Sequence, residues 1–333
     1  MNHDPKIQKL KVGMIPFWNL VPFKQELLRD RNLNIDMKLG NPTSINKWLQ
    51  EGEIHLAPCS SICLNLPGYE MALPLGVASD GFVRSVYLGL QNEHLPYLEL
   101  LTHRIPKIRE IFNSATQSHL EFNARQLAQR VTEALKELPS IPLNECPSLK
   151  FPNSSASSIA LSKILYTFWF GHDAFKFMCA RNFAPLSGTQ KPIELLIGDE
   201  ALIHHKTYAK TIDLGQFWKD LTGLPFVFAV WQSKGLCLNG WRRKILEVGD
   251  LAEKRMRVEP TDYLPTLPAL DANGNALPLI EYWREIKYRL GPEEFRGLLV
   301  FLCLARKLSE QALDNEIAVK LLRWQEACQI HQV

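Results

Sequence analysis

KLKVGMIPFWNLVPFKQELLRDRNLNIDMKLGNPTSINKWLQEGEIHLAPCSS, residues 9–61, is the stretch whose reading decides the fold class. Residues 9–15 read as an opening strand. Residues 19–31 read as a helix, with Pro22 near its start and Val21, Leu27 and Leu28 as its apolar positions. Residues 33–39 alternate as a second strand, 42–51 form a second helix, and 54–57 form a buried third strand that ends at Ser60 and Ser61. Strand and helix in alternation predict an α/β fold with a mostly parallel sheet covered by helices. Such sheets bind ligands outside the carboxyl ends of their strands, where the loops here carry Asn19, Ser60 and Ser61.

Beyond this stretch, residues 71–77 and 84–90 continue as apolar strand segments around a turn at Ser79, Asp80 and Gly81. From residue 91 to 146 the chain is more polar. Leu120, Ala124, Leu127, Ala128, Val131 and Leu135 recur there at three and four spacing, which predicts an all-helical insertion. A second α/β unit follows, with strands over 148–152 and 193–197 and helices over 157–169 and from 199 to 204. The apolar strand 226–231 carries the chain back to the first lobe. An amphipathic helix spans 240–257, and the tail from Leu279 reads as helical, divided at Gly291 and Pro292. The expected division is lobe one over 1–90 and 225–333, a helical insertion over 91–145, and lobe two over 146–224.

Composition agrees with two compact lobes, since 333 residues exceed one typical domain. Hydrophobic residues at 46% and charged residues at 22% exclude a disordered or fibrous chain. The balance of 38 basic against 35 acidic residues argues against nucleic acid or an anionic membrane as the main partner. The longest apolar runs, 223–231 and 297–305, are about half the roughly 18 residues a membrane span needs. The first residues show no apolar signal core, so a cytoplasmic location is expected. Seven cysteines, an odd count in a chain of this size, favour reduced thiols. Cys59 and Cys63 are spaced CxxxC, but no second Cys/His pair completes a metal site, and none is expected.

Two serine clusters, Ser60 with Ser61 and Ser155 through Ser158, each follow a strand and precede a helix. The N–H groups of a helix N-terminus flanked by hydroxyls stabilise a carboxylate without an arginine. The same serines also read as ordinary N-caps, as does Asn19 before Val21 and Pro22. Asp199, after Gly198, reads as a cap of the next helix, and His204 with His205 reads as solvent-facing.

IPFWNLVPF (15–23), LAPCSSICL (56–64), GVASDGFVRSVYL (76–88), SSASSIAL (154–161), LLIGDEAL (195–202), DLGQFWKDLTGLPFVFAVW (213–231) and IKYRLGPEEFRGLLVFLCLA (286–305) together resemble the chorismate dehydratase family of the futalosine route to menaquinone. The resemblance covers nearly the whole chain apart from about residues 92–145. It implies a two-lobed fold like that of type II periplasmic binding proteins. It also implies an enzyme that removes water from chorismate to give 3-[(1-carboxyvinyl)oxy]benzoate with no cofactor. Asn19 and Ser85 take the catalytic positions in this comparison, with Arg84 pointing to the opposite side of the strand. Ser60, Ser61, Ser155, Ala156, Ser157 and Ser158 take the substrate-binding ones.

Two departures stand out. The family's first loop usually reads Ser-Tyr-Leu-Asn-Thr, whereas this chain has Pro16, Phe17, Trp18, Asn19 and Leu20, so the amide is kept and the Ser and Thr hydroxyls are lost, at Pro16 and Leu20. The usual Glu-Ser-Ala-Thr-Ser of lobe two is Ser154, Ser155, Ala156, Ser157 and Ser158. Dehydration takes a proton from ring C3 and hydroxide from C4 and yields an aromatic ring, so the protein mainly holds and orients the substrate. An amide is a poor base, which leaves a substrate carboxylate or an ordered water as the proton acceptor. A small-carboxylate binding protein of the same fold, without catalysis, is the alternative reading.

Overall fold

The computed structural model describes residues 9–116, 123–137, 141–152, 155–184, 191–233, 238 and 240–309. Ser154, Leu120 and the tail beyond Ser309 lie outside them. The first lobe opens with β1 (Leu10–Met14), α1 (Val21–Arg29), β2 (Ile35–Leu39), α2 (Pro42–Glu51), β3 (Leu56–Ser60) and β4 (Glu70–Ser79). β1 pairs in parallel with both β2 and β3. Leu10, Val12 and Met14 are fully buried on it. A Cβ at Gly13 would meet the tip of Ile54 at 2.5 Å, so any larger residue there would force that side chain to shift. Asn41 caps α2 by accepting the Ser44 N–H at 2.8 Å. Pro42 starts that helix, and Gly52, left-handed at φ 76°, ends it.

β5 (Val86–Leu90) then leads into α3 (Pro96–Thr116) and α4 (Ala124–Glu137). Next come β6 (Leu149–Lys150), α5 (Ala156–Phe170), α6 (His172–Ala180), β7 (Ile193–Ile197), α7 (Asp199–His204), β8 (Lys210–Asp213) and α8 (Leu214–Thr222). The second sheet has the order β6-β7-β5-β8, with β5 antiparallel to both β7 and β8. Residues 86–90 therefore belong to lobe two, and the chain first crosses between β4 and β5, not near Leu90 and Gln91 as expected. An apolar strand looks the same whichever sheet takes it; pairing with β7 and β8 settles its side.

The chain returns in β9 (Phe226–Ser233), followed by α9 (Arg242–Val258), α10 (Leu279–Glu285), β10 (Lys287–Arg289) and α11 (Pro292–Leu308). β9 inserts between β3 and β4 and runs antiparallel to both, giving the order β10-β4-β9-β3-β1-β2. The expected mostly parallel sheet is thus mixed, because the strand returning from lobe two separates two strands that are neighbours in sequence. Within the insertion, α4 buries Leu127, Ala128, Val131 and Leu135. It packs on α11, while α3 packs on α5 and α8. α11 also touches β9 of lobe one and α5 of lobe two, so it braces the lobes behind the cleft. No helix among the described residues is long and apolar enough to cross a membrane.

Candidate functional site

The carboxyl end of β1 opens into a loop that the rest of the molecule holds by its backbone. Trp18 N–H donates to Asp199 Oδ1 of lobe two at 3.0 Å. The Trp18 carbonyl accepts from Trp283 Nε1 at 2.8 Å, and the Asn19 carbonyl accepts from the Tyr288 hydroxyl at 2.6 Å. The Asn19 side chain is left to line the cleft between the lobes. Its Oδ1 is buried without a hydrogen-bond partner. α1 has Leu20 at its N-cap position and no side-chain cap, so Asn19 does not cap it. An unpaired buried amide oxygen costs about 1–3 kcal/mol, which a ligand N–H or O–H would recover.

Across the cleft, Ser85 immediately precedes β5 and is 1% exposed. The turn before it is held by Asp213, whose carboxylate accepts from Val83 N at 3.2 Å and Arg84 N at 2.7 Å and also caps α8 through Gln216 N. Burial pushes the Asp213 carboxyl upward, and these backbone donors oppose the rise. The clamp keeps Arg84 left-handed at φ 57°, a strained conformation for a side chain of this size. Arg84 turns away from the cleft to Glu285 at 3.1 Å, while Ser85 faces into it and accepts a hydrogen bond from the Tyr282 hydroxyl at 3.0 Å. Ser79 closes its own turn by donating to the Gly81 carbonyl at 3.0 Å.

The serines divide. Ser60, at the end of β3, Ser155, at the N-cap of α5, and Ser158, on its first turn, line the cleft. Ser155 and Ser158 lie 2.9 Å apart, hydroxyl to hydroxyl. Neither Ser60 nor Ser155 makes a side-chain cap bond, although each occupies an N-cap position. Ser61 and Ser157 are fully buried and bond to each other, away from the cleft lining. Ala156 is exposed and also off the lining. Within the first turn of α5, residues 156, 157 and 158 point in successive directions about the axis, so only Ser158 of the three faces the cleft, and Ser155 reaches it from the left-handed N-cap position at φ 60°.

Asp199 does not cap α7; its carboxylate anchors the Trp18 loop instead. Burial pushes that carboxyl up, partly offset by the Trp18 N–H. His204 is exposed, but His205 stacks on Tyr87 with centroids 5.1 Å apart, so only one of that pair faces solvent. Of the two loop departures, Leu20 lines the cleft, whereas Pro16 is exposed and does not. Tyr282 carried no signal in the sequence, being 197 residues from the serine it contacts. Asp213 lay inside a quoted block but had no assigned role.

The lobes lie closed over this site. Phe17 rests against Gly198, where a Cβ would come within 3.1 Å of the ring. The space left in the cleft measures about 50 Å³, well below the roughly 300 Å³ at the lower end of small-molecule pockets. Among the described residues lining it, none has an ionisable side chain. The arrangement can donate and accept hydrogen bonds through one amide and several hydroxyls in apolar walls formed by Ile15, Val86 and Phe228.

A conserved Candida albicans gene product, described as defining a family with the generic periplasmic binding protein structural fold, is similar at 11% identity and TM-score 0.51, over 95% of each chain. A protein of Archaeoglobus fulgidus is similar at 14% identity and TM-score 0.44, over 98% of this chain and 99% of that one. The periplasmic aliphatic sulphonate binding protein of Escherichia coli is similar at 8% identity and TM-score 0.41, over 98% and 88%. The architecture is that of the two-lobed periplasmic binding proteins, with the α3–α4 pair inserted. The profile for menaquinone biosynthesis matches residues 10–102 and 131–307, passing over part of that pair. The chain therefore belongs to the menaquinone biosynthesis family.

Proposed function

We propose that this protein removes water from chorismate to give 3-[(1-carboxyvinyl)oxy]benzoate. The observation that carries the reading is the unpartnered Asn19 Oδ1, buried in a cleft that Ser85, Ser60, Ser155 and Ser158 also line. Chorismate has two carboxylates and a ring hydroxyl. The first turn of α5, with its free N–H groups and the Ser155 and Ser158 hydroxyls, suits one carboxylate. Ser60 suits the other from lobe one.

In the elimination, the C3–H bond breaks and its electrons form the new ring π bond. The C4–O bond breaks, and hydroxide leaves with the proton as water. Among the described residues the lining has no ionisable side chain to take the C3 proton, which leaves a carboxylate of the substrate itself or an ordered water as the base. Asn19 and Ser85 then orient the ring and stabilise charge on the departing oxygen. The aromatic product supplies the drive, and closure of the lobes holds the reacting geometry and excludes water. A ligand of this size reaches the site only when the lobes separate, since the closed space is about 50 Å³.

The test is to incubate purified protein with chorismate, follow the ultraviolet spectrum and identify the product. Formation of the carboxyvinyloxybenzoate is expected. Binding without turnover would make the protein a binder for a small carboxylate, and neither binding nor turnover would remove chorismate as the ligand.

A further inference from the structure

Tyr282 sits on α10 in lobe one, 1% exposed, and its hydroxyl donates to Ser85 Oγ at 3.0 Å across the junction with lobe two. A serine hydroxyl has one proton and two acceptor lone pairs. With the phenol proton occupying one lone pair, the proton of Ser85 is free to turn into the cleft that Ser85 lines. We infer that Tyr282 is a positioning residue that fixes Ser85 as a hydrogen-bond donor toward a ligand oxygen in the cleft. Ser85 is therefore a donor and not the base at that site.

The assignment separates two roles that a Tyr–Ser pair can play. In a relay, Ser85 would pass its proton to the ligand and recover one from Tyr282, leaving a phenolate. Burial holds the Tyr282 phenol far above its ordinary value; the Ser85 hydrogen bond lowers it only in part while Asp199 and Asp213 add to the rise, so a phenolate there is disfavoured. The phenol keeps its proton and sets direction only. The backbone enforces the same geometry, since Asp213 clamps Val83 and Arg84 and the Ser85 carbonyl accepts from Gly198 N at 2.7 Å. Ser85 thus has a fixed main chain, and its hydroxyl rotor is set by Tyr282.

The consequence for catalysis rests on the dehydratase reading; the hydrogen bond does not, so the experiment has two arms. In the first, tyrosine carrying ¹³C at Cζ is incorporated, and the Tyr282 signal is the one of eight lost in Tyr282→Phe. A donating phenol is displaced part-way toward phenolate, which moves Cζ downfield. Removing its acceptor in Ser85→Ala should therefore move the signal upfield, and no movement or a downfield movement would overturn the inference. In the second, turnover of chorismate is compared in the two single variants and the double variant. Tyr282→Phe is expected to lower kcat/KM about tenfold, the worth of one ordered hydrogen bond. Ser85→Ala should lower it at least as far, and the double variant no further than Ser85→Ala. Additive losses would show that Tyr282 acts other than through Ser85 and would overturn the inference, and unfolding midpoints on the same samples identify any loss of folded protein. If the wild type does not turn over chorismate, the proposed function falls and the Cζ signal alone judges the Tyr282–Ser85 assignment.

Discussion

The hydroxyl of Ser157, on the first turn of α5, lies 3.0 Å from that of Ser61, just past β3, and accepts the Ile62 N–H at 3.1 Å. Ser61 in turn donates to the Val227 carbonyl at 2.6 Å. Because Ser61 commits its only proton to Val227, Ser157 must donate to Ser61, so Ser157 accepts one hydrogen from lobe one at Ile62 and returns one to it at Ser61. Two serines that resemble ligand-binding positions in sequence instead fasten the lobes to each other beside the cleft.

Ser157→Ala should therefore loosen the protein without touching the cleft lining. It leaves the half-buried Ile62 N–H without its acceptor, at an expected cost of about 1 kcal/mol. Urea unfolding of the two proteins measures this directly. An unchanged midpoint would mean that water or the Ser61 hydroxyl replaces the lost partner and that the clasp contributes nothing.

Asn19→Ala should behave in the opposite way. The amide oxygen has no partner in the closed protein, so its removal should leave stability unchanged or slightly higher. Turnover and binding should fall at least about tenfold if the amide meets the ligand. Thermal midpoints measured beside binding isotherms separate the effects. A loss of stability matching the loss of binding would mean that Asn19 serves the loop instead.

The contrast between Ser157 and Asn19 shows what was legible in the sequence. Alternating periodicity gave β1 through β3 with their helices, and it bounded β7 and α7, because each is a local pattern of buried and exposed positions. Asn19 was legible as a loop residue at a strand's carboxyl end. The insertion of β9 between β3 and β4 was not, since every strand of an apolar sheet looks alike before its partners are known. The Ser61–Ser157 bond and the Tyr282–Ser85 bond join residues 96 and 197 positions apart, and no local pattern encodes such pairs. That Ala156 faces solvent follows from helix geometry once the orientation of α5 is fixed, which only packing supplies.

Asp199 gives a pH dependence of known sign. Burial raises its carboxyl above the ordinary value of 3.8, so the folded protein binds this proton more tightly than the unfolded chain does. By linkage, its contribution to stability is greatest below the ordinary value and declines as pH rises through the raised one. Asp199→Asn removes the titration while keeping an oxygen for the Trp18 N–H. The variant should lose that part of the decline and gain on the wild type as pH rises from about 4 toward 7. Unfolding free energies across this range provide the comparison, and parallel curves for the two proteins would refute the assignment.

The two departures in the first loop have unequal positions and should have unequal effects. Pro16 is exposed and off the cleft, so Pro16→Ser should change neither binding nor turnover beyond the error of the assay. Leu20 is 2% exposed and lines the cleft beside Asn19. Leu20→Thr places a hydroxyl where the resembling family has one. It also removes buried apolar surface, with an expected loss of stability of about 1–3 kcal/mol. If the hydroxyl meets the substrate only as the C4–O bond breaks, kcat rises while affinity for chorismate stays the same, because only contacts stronger in the transition state than in the bound substrate speed the step. If it meets the ground state equally, affinity improves and kcat does not. Calorimetry and turnover on wild type, Pro16→Ser and Leu20→Thr distinguish these outcomes. A Pro16→Ser effect as large as that of Leu20→Thr would contradict the placement of the loop, since an exposed side chain outside the cleft has no path to the reacting atoms.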